Sequence, residues 1–198
     1  MIFKQAHSGN YRKGRAAKIK YIVLHYTANT GDTAQNNLDY FARVSVSASA
    51  HYFVDENGAR QSVKDADTAY HCGAKSYLHK ECRNANSIGI EMCDSVNCVP
   101  QKTLEHAAAL TKELMKKYNI PVENVLRHYD VTGKACPLPW TKDEKAWTAF
   151  RSMIDTMTMQ EAKEIVQKKA GLNDATMAYL QNYKFGKDLL TKLAKAMR

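Results

Sequence analysis

The chain has 198 residues, 44% of them hydrophobic, and a formal net charge of +9. That is enough to bury one main core and carry a small appendage, while no stretch approaches the eighteen or more apolar residues that a membrane helix requires. The basic excess suits adhesion to an anionic polymer, whether nucleic acid, a membrane surface or a bacterial wall, or it is a plain solvated surface; no recognition helix, RNP-type aromatic motif or zinc-finger pairing speaks for nucleic acid.

Residues 1–20 carry six Lys or Arg and no acid. The opening Met1-Ile-Phe-Lys-Gln-Ala-His7 lacks the long apolar run of a secretory signal, so synthesis in the cytoplasm is expected. With it come reduced, structural cysteines at Cys72, Cys82, Cys93 and Cys98. Tyr21 to Thr27 reads as a core strand, and Asp32 to Val44 as a helix capped by Asp32 with Leu38 and Phe41 on one face. Ser49 to Asp55 and Arg60 to Val63 flank Asn57-Gly58, a hairpin signal because both residues tolerate positive φ. Ser87 to Met92, apolar apart from Glu91, is a further strand. Thr103 to Tyr118 is an amphipathic helix with Leu104, Ala107, Ala108, Leu114 and Met115 inward. Val125 to Tyr129 reads as a short strand, and Asp143 to Met157 as a helix packing Trp147, Phe150 and Ile154. This alternation predicts an α/β domain over residues 1–158, with a mixed central β-sheet flanked by helices.

From Met159 the strand pattern ends. Helices are predicted at about 160–170, 174–183 and 187–197, with Phe185, Leu189, Leu193 and Met197 as an apolar stripe. Residues 159–198 carry eight basic against four acidic residues. Forty residues rarely hold a core alone, so this small all-helical C-terminal module is expected to dock on the first domain, pair with its copy in a homo-oligomer, or bind a wall or other polymer.

The chemistry concentrates in Arg127-His-Tyr-Asp-Val-Thr-Gly-Lys-Ala-Cys-Pro137, which sets a histidine, a lysine and a cysteine close together, and in Tyr21-Ile-Val-Leu-His-Tyr-Thr27, whose strand ends in a second histidine. His25, His128 and Cys136 form a borderline-soft ligand set that suits zinc, and three protein ligands leave a fourth tetrahedral position for water. Alone, His25 reads as a satisfied core histidine and Cys136 as an inert buried thiol. Glu91 is out of place on a buried strand unless it is paired or faces a cleft. Lys134, two residues before Cys136, shares its face in an extended segment and could stabilise an oxyanion; otherwise it is a solvated lysine. His71 could line a groove and contact substrate, and His51 could do so too or pack beneath the metal. Asp130 orients an imidazole or forms a turn.

Five segments appear in order: Leu24-His25-Tyr-Thr27; Ser49-Ala-His51 through Gly58; Ala69-Tyr-His71-Cys-Gly73; Asn86-Ser-Ile-Gly-Ile-Glu91; and Arg127-His128 through Cys136-Pro137. Together they resemble the type-2 N-acetylmuramoyl-L-alanine amidases, a zinc family that includes phage endolysins and peptidoglycan recognition proteins. The resemblance spans roughly residues 20–155 and omits the C-terminal module. It implies zinc ligation by His25, His128 and Cys136, with one zinc per chain, and it aligns Glu91 with the general base of such endolysins. Some members place a tyrosine before the histidine matching His51; here Ala50 stands there, which shifts the load onto Glu91.

The resemblance implies a hydrolase that cleaves peptidoglycan between N-acetylmuramic acid and L-alanine. A phage or prophage endolysin, released to the cell wall through a holin, is the expected setting. A cytosolic muropeptide-recycling amidase is the enzymatic alternative, and a non-catalytic peptidoglycan-binding module the other, disfavoured because Cys136 is present.

Overall fold

Alternation along the strands sorts side chains onto two faces of one sheet. In chain order the first unit runs β1 (Ile2–Phe3), β2 (Tyr11–Arg12), β3 (Tyr21–Tyr26), α1 (Ala34–Arg43), β4 (Tyr52–Asp55), β5 (Gly58–Gln61), β6 (Thr68–Ala69), β7 (Ser87–Met92), α2 (Gln101–Tyr118), β8 (Val125–Arg127), α3 (His128–Thr132), α4 (Leu138–Lys142) and α5 (Glu144–Ile154). The computed structural model describes residues 1–94 and 97–197 and divides into the units Met1–Ile154 and Asp155–Arg198. Six strands form a mixed sheet in the order β1-β5-β4-β7-β3-β8, and β2 pairs with β6 apart from it. The hairpin pair β4–β5 is antiparallel; β4, β7, β3 and β8 run parallel to one another.

Even-numbered residues of β3 and β7 build the main core. Ile22, Leu24, Ile88, Ile90 and Met92 are fully buried against Ala107, Leu110 and Leu114 of α2 and against Trp140, Trp147 and Phe150 of α4 and α5. The Trp140 ring lies 4.7 Å from Phe150 and 5.1 Å from Trp147, centroid to centroid. Each such side chain contributes roughly 1.5–3 kcal/mol by leaving water. The opposite face carries two smaller apolar clusters, one around Tyr21, Val23, Cys72 and Cys82, the other around Leu38, Phe53 and Cys93. Between them lie the polar odd-numbered residues His25, Ser87 and Glu91.

Several boundaries differ from expectation. Thr33, not Asp32, caps α1: its hydroxyl accepts the Asn36 N–H, while Asp32 accepts from Asp94 N and from Asn37 Nδ2. The strand predicted through Tyr129 stops at Arg127, because Asp130 accepts the Arg127 N–H at 2.8 Å and starts a helix there. All five cysteines are unpaired thiols, and all but Cys98 are buried. Among the described residues no helix is long and apolar enough to cross a membrane.

The second unit contains α6 (Met159–Ala170), α7 (Asp174–Asn182) and α8 (Gly186–Ala196). Thr158 and Glu161 form a reciprocal capping box at the start of α6, and Asn173 caps α7. Contrary to the expectation from its length, this segment has its own buried cluster of Ala162, Val166, Met177, Leu190 and Ala194. The predicted stripe holds in part: Leu193 and Met197 pack against this cluster, but the inward phase is centred on Leu190 and Ala194, and Phe185 is 57% exposed. Gly186 sets that phase, since a Cβ there would lie 2.1 Å from the Leu180 carbonyl oxygen.

Candidate active site

Three neighbouring parallel strands end at one place. His25 lies opposite Glu91 in the β3–β7 register, and His128 follows directly on β8, which pairs with the other edge of β3. The carboxyl ends of parallel strands are where open sheets leave a crevice. Gly133 ends α3, and the returning chain is tied back by Tyr129 N–H to the Cys136 carbonyl at 2.9 Å, which sets Cys136 beside His128.

The three residues converge although 103 and 111 positions separate His25 from the other two. His25 Nδ1 lies 3.1 Å from His128 Nδ1 and 3.8 Å from Cys136 Sγ, and one ligand atom from each residue falls within 4.8 Å of the others. Tetrahedral bonds of about 2.1 Å to nitrogen and 2.3 Å to sulfur would separate nitrogens by roughly 3.3 Å and nitrogen from sulfur by roughly 3.6 Å. The triangle therefore fits a metal ion, and all three residues are buried.

The electrostatics agree with that fit. Burial, reinforced by the neighbouring His71, His128 and Lys134, pushes His25 well below its usual pKa. Burial and then Lys134 hold His128 at about 4. Both rings are thus neutral and offer lone pairs. Burial, and next the Glu91 carboxylate, raise the Cys136 thiol to about 12, so it ionises only with a cation beside it. Glu91 is raised to about 8 by burial, with Lys134 opposing and Asp32 reinforcing. Among the described residues its buried Oε2 has no hydrogen-bond partner. An unpartnered carboxyl oxygen on the strand residue opposite His25 is suited to exchanging a proton with a molecule bound there.

Beside the triangle a groove of about 700 Å³ is lined by Tyr70, His71, Asn84, His128 and Lys134 among others. Lys134 is exposed on its wall, although its segment is turned and not extended, since Cys136 N–H donates to the Lys134 carbonyl at 2.7 Å. His71 reaches the groove, but both its ring nitrogens are engaged inward, Nδ1 with His25 Nε2 and Nε2 with Ser87 Oγ, each at 3.0 Å. It can therefore offer a substrate only its ring edge. His51 is fully buried and away from the groove lining; Gly89 N–H donates to its Nδ1 at 3.0 Å, and Arg15 Nη2 lies 2.6 Å from its Nε2. His51 thus has no exposed surface in this structure for the first of the two roles expected for it, a contact with substrate. Asp130 binds Arg127, at 2.8 Å. Ser87, Gly89 and Arg15 escaped the sequence reading, though the alternation Ser87-x-Gly89-x-Glu91 put the first two on the face of His25; Arg15, in the loop before β3, had no such signal.

A profile of the N-acetylmuramoyl-L-alanine amidase family matches residues 15–139. The chain belongs to that family of hydrolases. It is 37% identical over 153 residues to the N-acetylmuramoyl-L-alanine amidase CwlL of Bacillus licheniformis, covering 72% of this chain and 42% of that protein. It thus spans less than half the length of this curated relative. Among solved structures, the chain resembles PlyL with a TM-score of 0.68 and 29% identity over 78% of this chain and 96% of that one. A mutant endolysin from Bacillus subtilis follows at a TM-score of 0.65 and 31% identity, covering 78% and 99%. These likenesses bear out the mixed sheet with flanking helices.

Proposed function

We propose that this chain is a zinc-dependent amidase that hydrolyses the bond between the lactyl group of N-acetylmuramic acid and L-alanine in peptidoglycan. The observation that carries the reading is the buried His25–His128–Cys136 triangle with the unpartnered Glu91 oxygen beside it, at one end of a groove in an N-acetylmuramoyl-L-alanine amidase. Zinc, when bound by these three residues, supplies Lewis acidity toward a carbonyl and lowers the pKa of water to about 7. Glu91 takes the proton from the attacking water at its free oxygen and returns it to the leaving amine. Lys134, on the groove wall, faces the oxyanion that develops on the carbonyl, a contribution of about 3–4 kcal/mol for one donor. His71 forms part of the groove wall against which the substrate lies.

The likeness to a solved endolysin supports a lysin role, acting on the cell wall after holin-mediated release. The C-terminal helices, with a net charge of +4 over residues 159–198, serve wall attachment or self-association in this reading. Mass analysis of purified sacculi digested with the protein tests the bond: free N-acetylmuramic acid ends and L-alanine amino termini are expected, lost on chelation and restored by zinc. Full activity in verified metal-free protein sinks the mechanism. Pelleting of the full chain with sacculi should weaken as salt rises, since exposed charges are screened; salt-insensitive pelleting leaves self-association, read by light scattering, as the role of the helices.

A further inference from the structure

Behind the metal triangle runs a line of hydrogen bonds with one end that cannot be reversed. Ser87 Oγ lies 2.7 Å from the Arg83 carbonyl oxygen. A carbonyl only accepts, so the single hydroxyl proton of Ser87 is committed to it. The other neighbour of the hydroxyl, Cys72 Sγ, lies farther off at 3.9 Å and has Asn84 Oδ1 as an acceptor at 3.2 Å. Ser87 Oγ can then only accept from His71 Nε2, 3.0 Å away, which puts a proton on Nε2 and, in the neutral ring, leaves Nδ1 as an acceptor. His25 Nε2, 3.0 Å from that Nδ1, must be the donor. A neutral imidazole has one N–H, so His25 Nδ1 is left with a bare lone pair, and it is Nδ1 that faces His128 Nδ1 and Cys136 Sγ.

We propose that Ser87 and His71 are positioning residues that hold His25 as its Nε2–H tautomer, so that its Nδ1 is ready for the metal before the metal arrives. The reverse order of donors would place a proton on the metal face of His25, to be displaced at every binding event. The fold reserves space for this device. A Cβ on Gly89, in the middle of β7, would lie 2.6 Å from His71 Cγ, so only glycine lets the ring sit flat against the strand between Ser87 and His25. Ligating histidines generally pass their second N–H to a carboxylate, a carbonyl or water; here the acceptor is another imidazole whose own orientation is set by a serine and a backbone carbonyl.

The value of the tautomer for metal affinity rests on the zinc reading, but the tautomer itself does not, and the test separates them. Long-range nitrogen–proton correlation spectra of the metal-free full chain should show both His25 and His71 as Nε2–H forms. Zinc affinity is measured in parallel by competition with a chromophoric chelator. His71→Ala is expected to weaken zinc binding by about 10- to 100-fold, the usual cost of losing an outer partner. In His71→Asn the side-chain oxygen can still accept the His25 Nε2–H, and it should recover most of that loss; Ser87→Ala should leave His71 a mixture of tautomers. An Nδ1–H form of His25 in the metal-free wild type overturns the proposal, as does an equal loss in His71→Ala and His71→Asn when both remain folded by circular dichroism. Wild type that binds no zinc yet keeps His25 as Nε2–H refutes the metal reading and leaves the tautomer relay standing.

Discussion

The two faces of β3 and β7 differ by one residue of register and by everything else. Ile22, Leu24, Ile88, Ile90 and Met92 face α2, α4 and α5 in an apolar layer, whereas His25, Ser87, Gly89 and Glu91 lie on the opposite face, where His71 bridges His25 and Ser87 by hydrogen bonds. The first face tolerates any well-packed hydrophobic set of the right volume. The second does not, because donors and acceptors there have fixed directions. Stability and chemistry are thus loaded onto alternate residues of the same strands, and substitutions one position apart should have separable consequences.

The largest separation is expected at Glu91. Glu91→Gln keeps size and burial but removes the base, and the rate should fall roughly 100- to 10,000-fold while zinc content and melting temperature stay near wild type. A variant that retains most of its rate in a sacculus assay places the base elsewhere. On the opposite face, Leu24→Ala should cost about 2–5 kcal/mol of stability in urea denaturation, with zinc affinity of the folded protein unchanged. Lost zinc binding without lost stability would break the comparison, because it would mean that the core face shapes the site directly.

The smallest effect sharpens it. Glu91 titrates at about 8 in the folded protein, raised from 4.5 chiefly by burial. Between those values the folded chain holds a proton that the unfolded chain has released, so stability of the metal-free protein should fall as pH rises through this window, by at most about 1.4 kcal/mol per pH unit from this group. Denaturation of wild type and Glu91→Gln at a series of pH values isolates the contribution. Identical slopes in the two proteins remove the buried-carboxyl account of Glu91.

Much of this arrangement was legible in the residues. Apolar runs marked β3 and β7 as strands, Asn57-Gly58 marked the hairpin, and Glu91 stood out as an acid on an apolar strand. Elsewhere local signals competed. Tyr129 fits a strand by propensity, yet Asp130 pulls the backbone into a helix one residue after Arg127. Leu189 and Leu193 suggested the stripe of α8, and Leu193 does pack on the buried cluster, but the close approach at Gly186 centres the inward face on Leu190 and Ala194. His51 and His71 looked alike as groove candidates and both are buried, but only His71 lines the groove: one ring receives the Gly89 N–H, the other joins the line that ends at Arg83.

By itself, the sequence determined which side chains share a face, since alternation is a local property of extended backbone, and it supplied a ligand set whose chemistry suits zinc. Tertiary structure alone decided that His25 meets His128 and Cys136 across more than 100 residues, and that Ser87 stands where it can orient His71. Those contacts depend on strand register and on loop return paths, set by the packing of the whole unit and not by spacing along the chain.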